Sequence, residues 1–422
     1  ASTRRSVIFA GGGTGGHLFP GIAVARELLA REPDARVLFV GSQKPIEQDI
    51  VGGAGFEHLA LPSVSPKLSP TRIGSSLLNN WRAYRQARAI MAREQPSVVV
   101  GLGGFASVPP VLAAGRAGVP IVLLEQNVVP GKATRWLSRF AEVVCLPWPQ
   151  AANGLPRGVK TVVTGNPIRA EIAKLADAAA SGCASLPLPL GEGRGEGLPG
   201  EGLSILEKSD GAEVNREAVP HPAFGHLLPA GEGVESGREI NSTLLILGGS
   251  QGAASLNTAV LDALATLQAE LTGWRIVHQT GAVDLDAIRQ RYAALSLAAD
   301  VQPFFRDMAE QYRRATCVVS RAGATTLAEL ACAGLPALLV PLPTSAHNHQ
   351  RLNARLFADH SAAHMAEPSS PAADSLRASL VQLLSDPSLR DRLSKNIRAL
   401  AQPQAARAVV EIACEESNVG LE

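Results

Sequence analysis

Twice along the chain a short apolar run ends in a cluster of glycines and continues directly into a helical pattern, and this repeat constrains the fold more than any other feature. Residues 7 to 29 read VIFAGGGTGGHLFPGIAVARELL and residues 244 to 264 read LLILGGSQGAASLNTAVLDAL. Strand, glycine turn and helix in that order open a nucleotide-binding βαβ unit, where the missing side chains let an anion reach the helix N-terminus. Two such openings predict two nucleotide-fold halves facing each other. A chain of 422 residues, 46% apolar and 18% charged, is long enough to give each half its own core.

The rest of the chain fits an α/β, doubly wound reading. Apolar runs at Val7–Ala10, Val37–Val40, Val98–Val100, Ile121–Leu124, Val143–Leu146 and Val159–Thr164 read as strands, with helical stretches such as Ile22–Arg31 between them. The pattern restarts with Thr243–Leu247, Arg275–Gln279, Val318–Ser320 and Ala337–Val340. Residues 177–241 contain LPLPLGEGRGEGLPGEG and no aromatic residue before Phe224. Such a segment buries too little apolar surface to offset its ordering entropy, and reads as a disordered insertion. Its His221 and His226 read as solvated rather than metal-binding. The expected organisation is a first Rossmann-like domain over 1–168, the insertion over 177–241, a second Rossmann-like domain over 242–403, and a C-terminal helix over 404–422 that returns to the first domain.

Several functional classes are disfavoured. A net charge of +1 gives no reason to expect a nucleic-acid partner. The five cysteines (Cys145, Cys183, Cys317, Cys332, Cys414) form no metal-spaced cluster, which points to a reducing cytoplasm, and no signal-peptide core precedes the first glycines. The uncharged stretch Ser97–Gly115 is interrupted by Gly101, Gly103, Gly104, Pro109 and Pro110, so it reads as strand, loop and helix rather than a membrane span.

The glycine loops narrow the chemistry. The glycines of Gly11–Gly16 read either as amides offered to an anion or as a turn that serves packing alone, and the second strand leads from Val40 to Gly41-Ser42-Gln43 without the acidic residue that binds an NAD ribose. No GKS or GKT follows either, which leaves out a Walker loop. At Gly248–Ala253 the amides and the Ser250 hydroxyl are suited to a pyrophosphate. Glu329, after the SRAGATTLAE strand-to-helix junction, reads either as an acceptor for ribose hydroxyls or as an exposed helical carboxylate. Asp284-Leu285-Asp286 reads as a helix N-cap rather than a metal ligand.

AGGGTGGHLFPGIAVA (10–25), GLGGFAS (101–107), EQN (125–127), TGNPIR (164–169), GGSQGA (248–253) and SRAGATTLAELACAGLPALLVPLP (320–343) occur in that order. Together they resemble the MurG family of UDP-GlcNAc:lipid I N-acetylglucosaminyltransferases, over nearly the whole chain except the insertion. The resemblance implies a GT-B fold, two Rossmann-like domains facing across a cleft, with UDP-GlcNAc held mainly by the second and lipid I by the first. It implies donor contacts from Thr14, Gly15, Gly16, Asn127, Arg169, Ser250, Phe305, Ala324, Thr325, Thr326, Leu327, Ala328, Glu329 and Gln350. Among these, Ser250 and Arg169 would hold phosphates, the Phe305 backbone the uracil, Glu329 the ribose and Gln350 the sugar. His17 is the first candidate for the base that takes the acceptor proton and Glu125 the second; no cofactor or metal is expected. The chain departs from the family pattern at Leu124, where His is common, and at His347 and Asn348, where acidic residues are common. A UDP-GlcNAc 2-epimerase and a non-catalytic nucleotide-sugar sensor are the alternative readings.

Ile73, Leu77, Leu78 and Trp81 recur at helical spacing beside Arg82, Arg85 and Arg88. They read as an interfacial helix on an anionic membrane surface, or as an ordinary amphipathic helix packing on its own domain. The resemblance favours the first reading, peripheral on the cytoplasmic side of the inner membrane, with other cell-wall synthesis and division proteins as further partners.

Overall fold

The computed structural model describes residues 4–64, 73–180, 242–248, 253–345, 348–366 and 372–419. Residues 181–241 of the expected insertion, together with Cys183, lie outside that set; its first residues, from Asp177, end a helix instead.

Two parallel sheets organise the described residues. The first contains β1 (Ser6–Gly11), β2 (Arg36–Ser42), β3 (Glu57–Leu61), β4 (Val98–Gly103), β5 (Ile121–Leu124), β6 (Val143–Leu146) and β7 (Thr161–Val163), in the spatial order β3-β2-β1-β4-β5-β6-β7. The second contains β8 (Ser242–Leu247), β9 (Trp274–Gln279), β10 (Ala299–Gln302), β11 (Cys317–Ser320), β12 (Ala337–Leu339) and β13 (His364–Met365), ordered β10-β9-β8-β11-β12-β13. The inner strands are covered on both faces, so they are uninterrupted apolar runs such as VVVG and LLIL.

Helices α1 (Gly15–Arg31), α2 (Pro45–Gly53), α3 (Ile73–Glu94), α4 (Val108–Ala117), α5 (Lys132–Leu137) and α6 (Ala170–Ala180) belong to the first stretch of chain. The second stretch carries α7 (Ala254–Leu264), α8 (Leu285–Ala294), α9 (Met308–Arg314), α10 (Ala324–Ala333), α11 (His349–Asp359), α12 (Ala372–Ser385), α13 (Pro387–Arg398) and α14 (Ala405–Val419). The chain crosses between the halves twice. Ile168 and Ile172, at the start of α6, join the core of the second sheet with Leu330 of α10. Val409, Val410 and Ala413 of α14 join the core of the first sheet with Val7, Phe9 and Leu28.

Ser97–Gly115 forms β4, a short 3₁₀ turn at Phe105–Ser107 and most of α4, and among the described residues no helix is long and apolar enough to cross a membrane. The strands β3, β10 and β13 are not evident in the sequence. All three are sheet edges, where one covered face suffices and the residues EHLAL, ADVQ and HM show little apolar bias. Asp284 holds the N-cap position of α8 but its carboxylate caps no amide; it accepts from Asn257 Nδ2 at 3.1 Å. The expected N-cap position is thus occupied by Asp284, without a side-chain cap. The described Cys145, Cys317, Cys332 and Cys414 are free thiols.

Candidate active site

In both sheets the strand order reverses at one point, between β1 and β4 and between β8 and β11. Ligands of doubly wound folds bind outside the carboxyl ends of the strands at such points. Here both switch points open on one cleft of about 730 Å³, lined from both halves of the chain.

On the first side the glycine loop already holds an anion, a carboxylate of the protein itself. Glu47, fully buried in the first turn of α2, accepts from the Gly13 amide at 2.6 Å and the Ser42 amide at 2.7 Å, and from the Ser42 hydroxyl. Gly12 and Gly41 flank it, and a Cβ on either would collide with the carboxylate. Burial pushes this carboxyl up, but the adjacent His58 ring and hydrogen bonds from Ser42 and Gly13 outweigh it and hold Glu47 below its ordinary value. The expectation that this loop's amides stand ready for an external anion is therefore corrected at Gly13. Thr14, Gly15 and Gly16 do line the cleft.

His17 follows on the first turn of α1 and also lines the cleft. Its ring lies over Gly103 and Gly104, both at positive φ, where a Cβ would come within 3.2 and 3.6 Å of the imidazole. Thr14 Oγ1 sits 3.1 Å from Nδ1. Burial lowers the His17 pKa, opposed by Glu125 and Glu47 and reinforced by His349 and Lys44. A lowered pKa keeps the imidazole neutral near pH 7, the form able to accept a proton.

Glu125 is differently employed. It is buried and outside the cleft lining; Oε1 accepts from the amides of Gln126 (3.0 Å) and Asn127 (2.9 Å) and from Asn127 Nδ2 (3.2 Å), and Oε2 from the Gly131 amide (2.9 Å). A carboxylate with four donors aimed at it holds a loop together rather than shuttling protons. The geometry gives Glu125 a part in holding the 125–131 loop and favours His17, which lines the cleft, as the first candidate base. Asn127 reaches the cleft, and its Oδ1 also accepts from Asn353 Nδ2 of α11 at 3.1 Å. Asn353 in turn accepts from the Val128 amide at 3.0 Å, tying the two halves together.

On the second side Arg169, Ala324, Thr325, Thr326, Glu329 and Gln350 line the cleft. Arg169 donates to Glu329 Oε1 through Nη2 (2.8 Å) and Nε (3.1 Å), and lies over the Phe19 ring. The Tyr312 hydroxyl donates to Glu329 Oε2 at 3.0 Å. Glu329 is thus a buried, paired carboxylate, not an exposed helical one. Gln350 Oε1 accepts from the Leu342 amide at 2.9 Å. Thr325 donates across the cleft to the Gly16 carbonyl at 3.4 Å. That carbonyl is available because Pro20, four residues on, has no N–H to offer it. Leu327 is in the core and Ala328 packs against it, neither lining the cleft. The Phe305 ring is also core, whereas the neighbouring Phe304 ring stands in the cleft wall. Ser250 lies outside the described residues.

The profiles of the glycosyltransferase family 28 N-terminal and C-terminal domains match residues 7–146 and 243–410. A UDP-N-acetylglucosamine–N-acetylmuramyl-(pentapeptide) pyrophosphoryl-undecaprenol N-acetylglucosamine transferase from Pelobacter propionicus is 36% identical over 408 residues, 96% of this chain and 98% of its own. The chain belongs to the MurG family. A like-named relative from Trichlorobacter lovleyi is 35% identical over 96% of both chains. Acinetobacter baumannii MurG superposes with a TM-score of 0.67 at 27% identity, covering 97% of this chain and 99% of that one. A putative UDP-N-acetylglucosamine 2-epimerase from Listeria monocytogenes, 12% identical with a TM-score of 0.61 over 100% and 98% of the two chains, shares the fold alone. Both placements agree with a GT-B architecture of two Rossmann-like domains.

Family membership leaves the cleft's electrostatics to its own residues, and here sequence reading missed several. Arg321, just after β11, lines the cleft; it donates through Nη1 to the Val340 (3.0 Å) and Pro341 (3.2 Å) carbonyls and through Nη2 to Ser255 Oγ (2.6 Å). Among the described residues no carboxylate pairs with it, its Nε has no partner, and burial lowers its pKa. Gln279, which also lines the cleft, has its Oε1 buried without a partner among the described residues. An arginine following a buried strand end at the switch point is the signal that could have flagged Arg321. Nothing in the sequence marked Tyr312 or Glu47.

Proposed function

We propose that the protein transfers N-acetylglucosamine from UDP-GlcNAc to the 4-hydroxyl of the MurNAc unit of lipid I, with inversion, giving lipid II for peptidoglycan synthesis. The observation that carries this reading is that one cleft is lined both by a neutral-biased imidazole, His17, and by a guanidinium, Arg321, that among the described residues has no carboxylate partner.

In this reading Nδ1–H of His17 donates to the Thr14 hydroxyl oxygen, leaving the Nε2 lone pair for the acceptor hydroxyl. As the oxygen attacks carbon 1, its proton passes to His17, the bond from carbon 1 to the phosphate oxygen breaks, and UDP departs with the bonding electrons. The charge that develops on UDP is met by Arg321 and the start of α7, which begins directly after the second glycine loop. Arg169 serves the phosphates only if it leaves Glu329, with which it is paired, and leaving would free that carboxylate for the ribose.

The acceptor's lipid places the reaction at a membrane surface, and α3 is the element suited to it. Its later residues Ala83, Ala87, Ile90 and Met91 pack on the first sheet, while Leu77, Leu78 and Trp81 are 66%, 47% and 54% exposed. Arg85 lies over the Trp81 ring at 5.0 Å, and Arg82 and Arg88 are exposed beside it. The helix therefore divides its apolar residues between its own core and solvent; the side chain of Ile73 lies outside those described. We read the exposed half as a peripheral contact with an anionic leaflet, on the cytoplasmic side of the inner membrane.

The test is product identity. Incubation with UDP-GlcNAc and a lipid I analogue should add one N-acetylhexosamine to the analogue through a β1,4 bond, read by mass spectrometry and NMR. Recovery of the unmodified analogue together with UDP-ManNAc would instead identify an epimerase.

A further inference from the structure

The N-terminal glycine loop resembles a phosphate cradle, yet its seat is filled from inside. We propose that Glu47 is a positioning residue for the transfer reaction: its buried carboxylate stands in for the anion in the first glycine loop and thereby holds Thr14 and His17 in register with the cleft.

This inference rests on His17 being the base. Glu47 joins three points otherwise far apart in the chain. Its Oε1 takes the Gly13 amide and the Ser42 hydroxyl, and its Oε2 takes the Ser42 amide at the end of β2, with His58 of β3 at 3.6 Å. Lys44 closes the ring from the other direction, donating through Nζ to the Gly13 carbonyl at 3.3 Å. The next residue, Thr14, supplies the carbonyl that accepts the His17 amide (3.2 Å) and the hydroxyl at its Nδ1 (3.1 Å). The Gly12 carbonyl is held against Gly104, where a Cβ would stand 2.7 Å from it. Carboxylate, glycine loop and imidazole are consecutive links, each at hydrogen-bond distance.

The room for Glu47 is built by glycines on both sides. Gly12 and Gly41 exclude any Cβ that would displace the carboxylate, so the first loop's glycines serve an internal ligand as well as the turn. One consequence is a division of labour between two loops that look alike in sequence. The first is closed to phosphate at Gly13 and, in the proposed reaction, carries the base.

The second consequence concerns charge. The groups that face His17 are Glu125, Glu47, His349 and Lys44, two carboxylates against two cationic or titratable groups. Removing the charge at position 47 leaves Glu125 as the sole anion among them, so the His17 pKa falls.

The experiment is Glu47→Gln in the full chain, assayed with UDP-GlcNAc and a lipid I analogue beside the wild type. Expected are a fall in kcat of tenfold or more, a KM for UDP-GlcNAc within threefold of wild type, and an acid limb of kcat/KM displaced to lower pH. Wild-type kcat with an unmoved acid limb overturns the proposal, as does a loss confined to KM. A wild type unable to transfer sugar counts against the proposed function instead. If the variant does not fold, hydrogen exchange at the wild-type Gly13 amide decides. Slow exchange that is indifferent to added UDP is expected; fast exchange that slows only with UDP means the seat is open, and overturns the proposal.

Discussion

In the proposed mechanism His17 and Arg321 divide the chemistry between them. A base must be unprotonated to act, and burial lowers the His17 pKa from its ordinary 6.5. Activity therefore falls as pH drops through a midpoint below that value, and His17→Ala should cost about 10²–10⁴-fold in kcat while donor affinity, measured by calorimetry, stays within a few-fold. For Arg321→Ala we expect a loss of about 10²-fold in kcat/KM, partly restored by Lys, because the interaction strengthens as charge develops on UDP. An Arg321→Ala variant with unchanged kinetics would remove the cation from the mechanism. His17 was legible in the sequence because it follows a glycine loop that follows a strand. Arg321, Glu47 and Tyr312 were not, since what qualifies them is their partners: a missing carboxylate, two amides from separate segments, and a carboxylate seventeen positions along the chain. The motif around Glu125 likewise gives no hint that four donors surround it.

At the scale of elements, the inner strands were readable because both faces are buried and the residues are apolar without interruption. The edge strands β3, β10 and β13 were not, for want of that constraint. Strand β9 adds a buried polar chain that pattern reading could not find. Its His278 accepts at Nδ1 from the Tyr292 hydroxyl (2.9 Å) and donates from Nε2 to Asn257 Oδ1 (3.2 Å), while Asn257 Nδ2 donates to the Thr280 carbonyl (3.0 Å). Burial lowers the His278 pKa to about 4 from an ordinary 6.5, so the unfolded chain takes up a proton more readily than the fold. Its contribution to stability is whole above pH 6.5 and is lost as pH falls toward 4, roughly 3 kcal/mol across that window. Denaturant titrations should show that slope, and His278→Gln should flatten it whatever it does to stability at pH 7. For α3, Leu77→Ser with Trp81→Ser should reduce sedimentation with phosphatidylglycerol-containing vesicles at least tenfold without altering kcat on a water-soluble acceptor. Unchanged vesicle binding would assign the exposed half of the helix another purpose.

For the molecule as a whole, the fold class was readable from the repeated strand, glycine turn and helix, but the way the halves are joined was not. Helix α6 leaves the first half to enter the second core, α14 returns from the second to the first, and Asn353 links α11 to Asn127 and Val128 across the cleft. These crossings bring both switch points to one cleft, with a resident carboxylate seated in the first glycine loop. That arrangement suits group transfer between two bound molecules better than chemistry on one. UDP release from UDP-GlcNAc, followed with and without a lipid I analogue, tests this most directly. The account predicts release that depends on the analogue and matches, mole for mole, the sugar it gains; UDP release at the same rate without acceptor, or none with it, would contradict it.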